Sequence, residues 1–367
     1  MGPGTQPLVI ARNMRERGYE TVFATAGGVY VDTVRDAGFP VAIIEELAPD
    51  KHNPVAVMRA ISKLRDLIRR ETPQVVHGHN AAATTLAWIA GRTLGLDIPC
   101  VTSVRGVEER ESHQWRNGIW KRVPGKLIGV CEKTRERLLG FGCPPEKIVV
   151  TYNGIDLDRF ELKRAAGAEA RRELNLEGRL VVGTTGAMTG PADDLGGPGK
   201  GQHLLVRAAA NLRDEFPELS VLLVGDGPAR GHVETTVARL GMEDRVVFAG
   251  RRFDVPRMLA AMDIYCLASI YGEFFPNSII EAMSMNLPWI GSDIAGLSEL
   301  TADGDAGWVS QPGNVDALTA NLRKLAANAD LRSSMGARGR LEVEERFTID
   351  KVNDRIESAY RLAGFSG

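Results

Sequence analysis

Short apolar runs alternate along this chain with longer stretches whose apolar positions recur at helical spacing. The runs at 21–25, 41–44, 74–77, 98–104, 126–130 and 148–151 predict strands. Helical patterns at 7–17, 54–70, 81–94 and 132–140 fall between them. A break follows at Asn153-Gly154-Ile155-Asp156, and the polar, alanine-rich stretch 162–178 reads as a linker with some helix. A second series then repeats the alternation, with strands at 180–185, 219–224, 246–249, 264–268 and 289–291. Its helices are at 202–213, 230–240, 255–261 and 276–285, and the last helices, from 315 to 363, are charged and amphipathic. Alternating strands and helices predict parallel α/β sheets, and two such series predict two doubly wound domains facing one cleft. Ligands in such sheets bind at the carboxyl ends of the strands.

The length of 367 residues agrees with two domains, being too great for one ordinary core. Hydrophobic content of 44% and charged content of 25% are ordinary for a globular protein. A formal net charge of −2 supplies no basic field, so no nucleic-acid partner is expected. Cys100, Cys131, Cys143 and Cys266 are scattered, mostly in apolar runs. They show neither paired metal-ligand spacing nor a disulfide framework, which fits a reducing cytoplasm. No apolar run approaches the ~20 residues of a membrane span, and no secretory signal opens the chain.

The stretch 271–293 carries the most chemistry. Glu273 and Glu281 flank a Phe274-Phe275-Pro276-Asn277 turn that opens a helix, with Pro276 in a first turn where a missing N–H costs nothing. Ile279, Ile280, Met283 and Leu287 fall on one face, and Asn277, Glu281 and Ser284 on the opposite one. The free N–H groups of the first turn suit a phosphate. Two carboxylates beside such a helix end fit a nucleotide-sugar, held by its diphosphate and by hydroxyls on either side. At the other end of the chain, Gly2-Pro3-Gly4-Thr5-Gln6 is a glycine-rich turn of the kind that normally follows a strand. Only Met1 precedes it, so a first strand missing through a truncated start is expected.

With those residues in hand, the chain resembles glycosyltransferase family 4, which has the GT-B fold of two Rossmann-like domains facing an interdomain cleft. The resemblance rests on the Gly2-to-Gln6 turn, His77-Gly78-His79-Asn80, Asn153-Gly154-Ile155-Asp156 and Lys200-Gly201. It also rests on Val224-Gly225-Asp226-Gly227-Pro228 and on the Glu273-to-Glu281 motif followed by Asn286-Leu287-Pro288. It implies an acceptor-binding domain at 1–160, a donor-binding domain at 176–347, and a C-terminal helix at 348–367 packed back on the first. The implied reaction moves a sugar from a UDP- or GDP-sugar to a carbohydrate or lipid-linked acceptor, with retention, in polysaccharide, lipopolysaccharide or glycolipid synthesis. No metal and no resident cofactor are implied, the nucleotide-sugar being a co-substrate.

By the same resemblance, Glu281 accepts from ribose hydroxyls and Glu273 from the transferred sugar, with Phe274, Phe275, Pro276 and Asn277 near the sugar and phosphates. Gly4 and Thr5 close over the diphosphate, and Lys200 stabilises its charge as it leaves. Family members pair that Lys with an Arg, but the matching position here is Ala187, after Gly186. Arg251 and Arg252 are candidate substitutes, with a place beside the base as the alternative. A second departure is Arg105, which stands before Gly106 where many relatives have histidine. Arginine cannot act as a general base near neutral pH. It is expected to contact substrate, or else to pair with Glu108 or Glu109. The expected catalytic set is Glu273, Lys200 and Arg105, with His79, Asn80 and Arg105 on the acceptor.

Bland readings stand beside several of these. A helix cap is the commoner role for residues such as His79, His77 points into the structure, and Gly225-Asp226-Gly227-Pro228 reads as a turn after a buried strand. The stretch 108–122, with Trp115 and Trp120, fits an amphipathic helix with two aromatic anchors, or an acceptor-facing surface in peripheral contact with the inner face of a membrane. The insertion 190–199 reads as a lid or as an inert surface loop. Two other functions stay open at this point: a nucleotide-sugar epimerase of the same fold, and a nucleotide-sugar-binding protein with little turnover.

Overall fold

The computed structural model describes residues 6–48, 53–104, 118–161, 164–189, 199–271, 275–294 and 296–366. Gly4, Thr5, Arg105, Glu273 and Phe274, together with most of the 108–122 stretch and the 190–199 insertion, therefore lie outside the described residues. The chain divides into two compact units, Met1–Tyr152 with Ile349–Gly367, and Asn153–Thr348.

In the first unit the described elements are α1 (Gln6–Glu16), β1 (Phe23–Thr25), α2 (Val31–Asp36), β2 (Val41–Ile43), α3 (Pro54–Glu71), β3 (Val76–Gly78), α4 (Ala81–Arg92), β4 (Cys100–Val104), β5 (Lys126–Gly129), α5 (Glu132–Gly140) and β6 (Ile148–Val150). Strands β1 and β2 pair in parallel, and β3-β4-β5-β6 form a second parallel sheet. Asn53 caps α3 by accepting from Ala56 N at 2.9 Å, with Pro54 behind it as the first helical residue. The short polar α2 went unpredicted, since six residues hold too few apolar positions to show a period.

The second unit contains α6 (Arg164–Glu173), β7 (Leu180–Thr185), α7 (Gln202–Ala210), β8 (Leu219–Val224), α8 (Arg230–Leu240), β9 (Val246–Gly250), α9 (Val255–Leu259), β10 (Ile264–Leu267), α10 (Asn277–Ser284), β11 (Trp289–Ser292), β12 (Gly307–Ser310), α11 (Val315–Ala327) and α12 (Ala329–Glu342). Its six strands are all parallel in the order β12-β11-β10-β7-β8-β9. Every position of β7, β8, β10 and β11 is buried, which is why these strands read as predominantly apolar runs rather than alternating ones. Strand β12 was missed because Gly307-Trp308-Val309-Ser310 is short and bordered by turn residues. Gly307 is required there, because a Cβ would meet the Trp289 ring at 2.1 Å.

The chain then returns to the first unit through α13 (Ile349–Leu362). Val352, Ile356, Ala359 and Tyr360 on this helix form one core with Met14, Val101 and Ile128. Arg17 joins it from α1's end, bonding Asp354 at 2.7 Å.

Candidate active site

The order of the second sheet places its switch point between β7 and β10, so their carboxyl ends border the crevice where such sheets bind ligands. Three loops are laced together on this edge. Gly186 N donates to Val224 O at 2.9 Å, and Gly225 N to Gly250 O at 2.8 Å. A Cβ on Gly225 would meet Gly186 O at 2.0 Å, and one on Gly227 would meet Met188 O at 2.4 Å. The glycines of Gly225-Asp226-Gly227-Pro228 thus let backbones pack, which is the turn reading of that motif.

Lys200 sits on a segment fixed against the end of β10. Ile270 N donates to Gly199 O at 2.8 Å, and Gly201, at φ +71°, caps α7 with its Cα against the Ala268 carbonyl. A Cβ at Gly201 would stand 1.9 Å from Ala268 O. Gly201→Ala is therefore expected to cost on the order of 2–3 kcal/mol, from overpacking together with a left-handed backbone. A thermal melt within 2 °C of the parent, roughly the shift of a much smaller loss, would contradict this.

Helix α10 begins after Pro276, whose carbonyl takes the first intrahelical bond, from Ile279 N at 3.3 Å. Its apolar face is buried as expected, with Ile279, Ile280 and Met283 all at 1% exposure or less. On the opposite face Glu281 (8% exposed) and Ser284 (1%) are buried too. The helix is enclosed by β10, β11, α12 and a 3-10 turn at Leu157–Phe160, which leaves its first turn as the accessible part. Asn277, at that first turn, has a buried Oδ1 with no hydrogen-bond partner among the described residues. Gln202, at the start of α7, spends Nε2 on Ala187 O at 3.4 Å and leaves a buried Oε1 in the same condition. Acceptors of this kind call for O–H or N–H donors.

Two family models cover most of the chain: Glycosyltransferase Family 4 matches residues 2–159, and Glycosyl transferases group 1 matches residues 197–342. The chain belongs to glycosyltransferase family 4. It is 25% identical to the N-acetyl-alpha-D-glucosaminyl L-malate synthase of Bacillus anthracis, over 98% of this chain and 93% of that protein. It is 26% identical to a UDP-Gal:alpha-D-GlcNAc-diphosphoundecaprenol alpha-1,3-galactosyltransferase of Escherichia coli, over 83% and 79%. Among solved structures, Anabaena HepE in complex with UDP superposes with a TM-score of 0.83 at 21% identity, covering 98% of this chain and 96% of that one. The fold is GT-B, and the chain is a glycosyltransferase.

Within this family 4 enzyme, Glu281 is the carboxylate whose environment is legible. Burial pushes its pKa up, and the positive charge of Arg159 partly opposes that. Close by, the fully buried Tyr265 hydroxyl lies 3.1 Å from Thr185 Oγ1 and within hydrogen-bond reach of Ser278. Tyr265 and Thr185 tie the ends of β7 and β10 together, and the sequence reading passed over both. The available signal was a tyrosine inside an apolar strand, since a buried O–H needs a partner.

Of the two candidate substitutes for the absent arginine, Arg252 is already engaged. It bonds Asp254 at 2.8 and 2.7 Å and Glu173 at 2.8 Å. These bonds hold the Asp254 carboxyl down at about 2. Arg251, exposed on the loop after β9, carries no such ion pair among the described residues.

In the first unit, Asn80 caps α4 by accepting from Ala83 N at 2.7 Å. His79 stacks on His77 with ring centroids 4.7 Å apart. His77 does turn inward, with Nδ1 2.9 Å from the Tyr360 hydroxyl and Nε2 2.8 Å from Ser103 Oγ. Trp120 packs against the core around Val104 and Leu127. All four cysteines are free and buried, and burial lifts the Cys266 thiol to about 12. Among the described residues, no cluster of His, Cys, Asp or Glu is placed to hold a metal, and no helix is long and apolar enough to cross a membrane.

Proposed function

We propose that this glycosyltransferase takes its sugar from a UDP- or GDP-sugar and transfers it with retention, without a metal, to a carbohydrate or lipid-linked acceptor. The observation that carries this reading is the carboxyl edge of β7 and β10. There Lys200 lies on a segment held against Ala268 and Ile270 just after β10, and α10, which carries the buried Glu281, packs on β10 as well. The names of the relatives agree: the Escherichia coli enzyme is named for UDP-Gal and a diphosphoundecaprenol acceptor, and the HepE structure is a UDP complex.

In this reading Glu281 accepts from the ribose hydroxyls, and the N–H groups of Asn277 and Ser278 with the Lys200 ammonium face the diphosphate. Glu273 holds the transferred sugar, and Arg105, His79 and Asn80 address the acceptor. As the anomeric C–O bond breaks, negative charge grows on the leaving phosphate, where Lys200 and the helix end are already arranged to receive it. The acceptor oxygen bonds to the anomeric carbon on the same face, and its proton passes to the departing phosphate oxygen. No side-chain base is required, so arginine at 105 is compatible with transfer. A lipid-linked acceptor places the work on the inner face of the cytoplasmic membrane.

The test is incubation with a panel of nucleotide-sugars, with and without a chelator, and NMR of the product's anomeric centre. Transfer or slow donor hydrolysis with retention, unaffected by chelation, is expected. Isomerised donor would mean an epimerase instead, and binding without turnover a binding protein.

The raised Glu281 pKa gives a pH dependence of defined sign. Because the folded protein holds that proton more tightly than the unfolded chain, Glu281 favours folding at low pH. This contribution falls as pH rises from the ordinary carboxylate range toward the raised value. Ribose hydroxyls favour the ionised form, so nucleotide affinity runs the other way and weakens as pH falls through that window. Glu281→Gln should leave only the phosphates' own dependence, measured by calorimetric titration of UDP and GDP from pH 7 to 5. Identical pH slopes in parent and variant would rule out Glu281 as the titrating group.

A further inference from the structure

The motif Asn153-Gly154-Ile155-Asp156, which carries part of the family resemblance, meets the backbone just before Pro276 at the start of α10. Asn153 is 8% exposed, and its Nδ2 donates to Phe275 O at 2.9 Å, across 122 residues of chain. Two residues on, Ile155 N donates to Phe347 O at 2.9 Å, and Ile155 bridges Thr348 in parallel. The Phe347 ring, fully buried, lies 5.6 Å from the ring of Phe275. Asp156 then accepts from Asp158 N and starts the 3-10 turn Leu157–Phe160, which packs on α10. The five-residue π turn Val343–Phe347 packs on α10 from the other segment.

The carbonyl that Asn153 holds has a particular place in the backbone. Pro276 is the N-cap of α10 and its own carbonyl takes the first helical bond, so the Phe275 carbonyl lies just outside the helix. A buried carbonyl there needs a partner from elsewhere. The donor that reaches it fixes the peptide plane leading into Pro276, and with it the direction in which the first N–H groups of α10 point. Phosphate recognition by a helix end depends on that direction.

We propose that Asn153 is a positioning residue for nucleotide binding: through the Phe275 carbonyl it sets the aim of the α10 N-terminus at the diphosphate. The inference rests on the donor reading above. Asn153→Ala leaves Phe275 O without this donor and is expected to raise the Kd for UDP or GDP about tenfold, the scale of one buried hydrogen bond. Asn153→Asp, nearly the same size but unable to donate, should be at least as damaging. Leu212→Ala serves as the control, since it removes a fully buried side chain from the main core of the same unit. It should lower the melting temperature with nucleotide Kd within about twofold of the parent, because it leaves the loop's bonds in place.

The readout is calorimetric titration of UDP and GDP well below each variant's melting temperature. A lowered melting temperature for Asn153→Ala and Asn153→Asp with parental nucleotide affinity would reduce Asn153 to a structural role and overturn the proposal. A Kd raised in both variants, and not in Leu212→Ala, supports it. If the parent protein binds neither nucleotide, the donor reading itself fails and takes this inference with it.

Discussion

Replacing Lys200 with alanine is expected to lower kcat by about 30- to 10³-fold, the loss of roughly 2–4 kcal/mol that follows removal of one charge-stabilising donor in a preorganised site. The effect should fall on kcat more than on KM, because the leaving diphosphate gains charge only as the anomeric bond breaks. Two features make Lys200 the sensitive position. Its neighbours are held rigidly, Gly199 through Ile270 N and Gly201 by the Ala268 carbonyl, so the ammonium starts from a fixed base. The position that the family resemblance matches to arginine is Ala187, whose carbonyl accepts from Gln202 Nε2. On the proposed donor reading, Lys200 carries more of the diphosphate charge than it would beside an arginine. Initial-rate kinetics with a competent donor decide the matter. A near-parental kcat would place the diphosphate elsewhere.

Glu281→Ala should act on affinity. Hydrogen bonds to a charged acceptor are worth about 1.5–3 kcal/mol, so losing those to the ribose is expected to raise the nucleotide Kd roughly 10–150-fold. Burial makes the carboxylate costly in the unliganded protein, so Glu281→Gln should melt no lower than the parent at pH 7. A residue that weakens the fold and strengthens the complex is the expected trade between stability and function. A Kd for UDP and GDP unchanged by Glu281→Ala would remove Glu281 from the site.

The buried strands were the most legible elements. The ranges 180–185 and 219–224 match β7 and β8 to the residue, because both faces of these strands are covered and their positions are mostly apolar or small. Helix α8 at Arg230–Leu240 was equally plain, closed by Gly241 in the left-handed conformation. Strand β12 and helix α2 escaped, one too short and the other too polar to show a period. On α10 the apolar face was readable, but the burial of Glu281 was not. Periodicity marks a polar residue as facing away from the apolar stripe, and it cannot say what else packs against that side.

The sequence by itself determined the α/β alternation, the family, and the residue types that suit a nucleotide-sugar: Lys200-Gly201, the helix end after Pro276 and the carboxylates beside it. These are local in the chain, written in spacing and in turn chemistry. Only the tertiary structure decided which groups meet. It joined Thr185 to Tyr265, put the glycines of the Gly225 turn against Gly186 and Met188, and committed Arg252 to Glu173. It also brought Asn153 beneath Phe275. Such contacts join segments tens to more than a hundred residues apart, and strand order sets them. A pattern along the chain carries no record of that order.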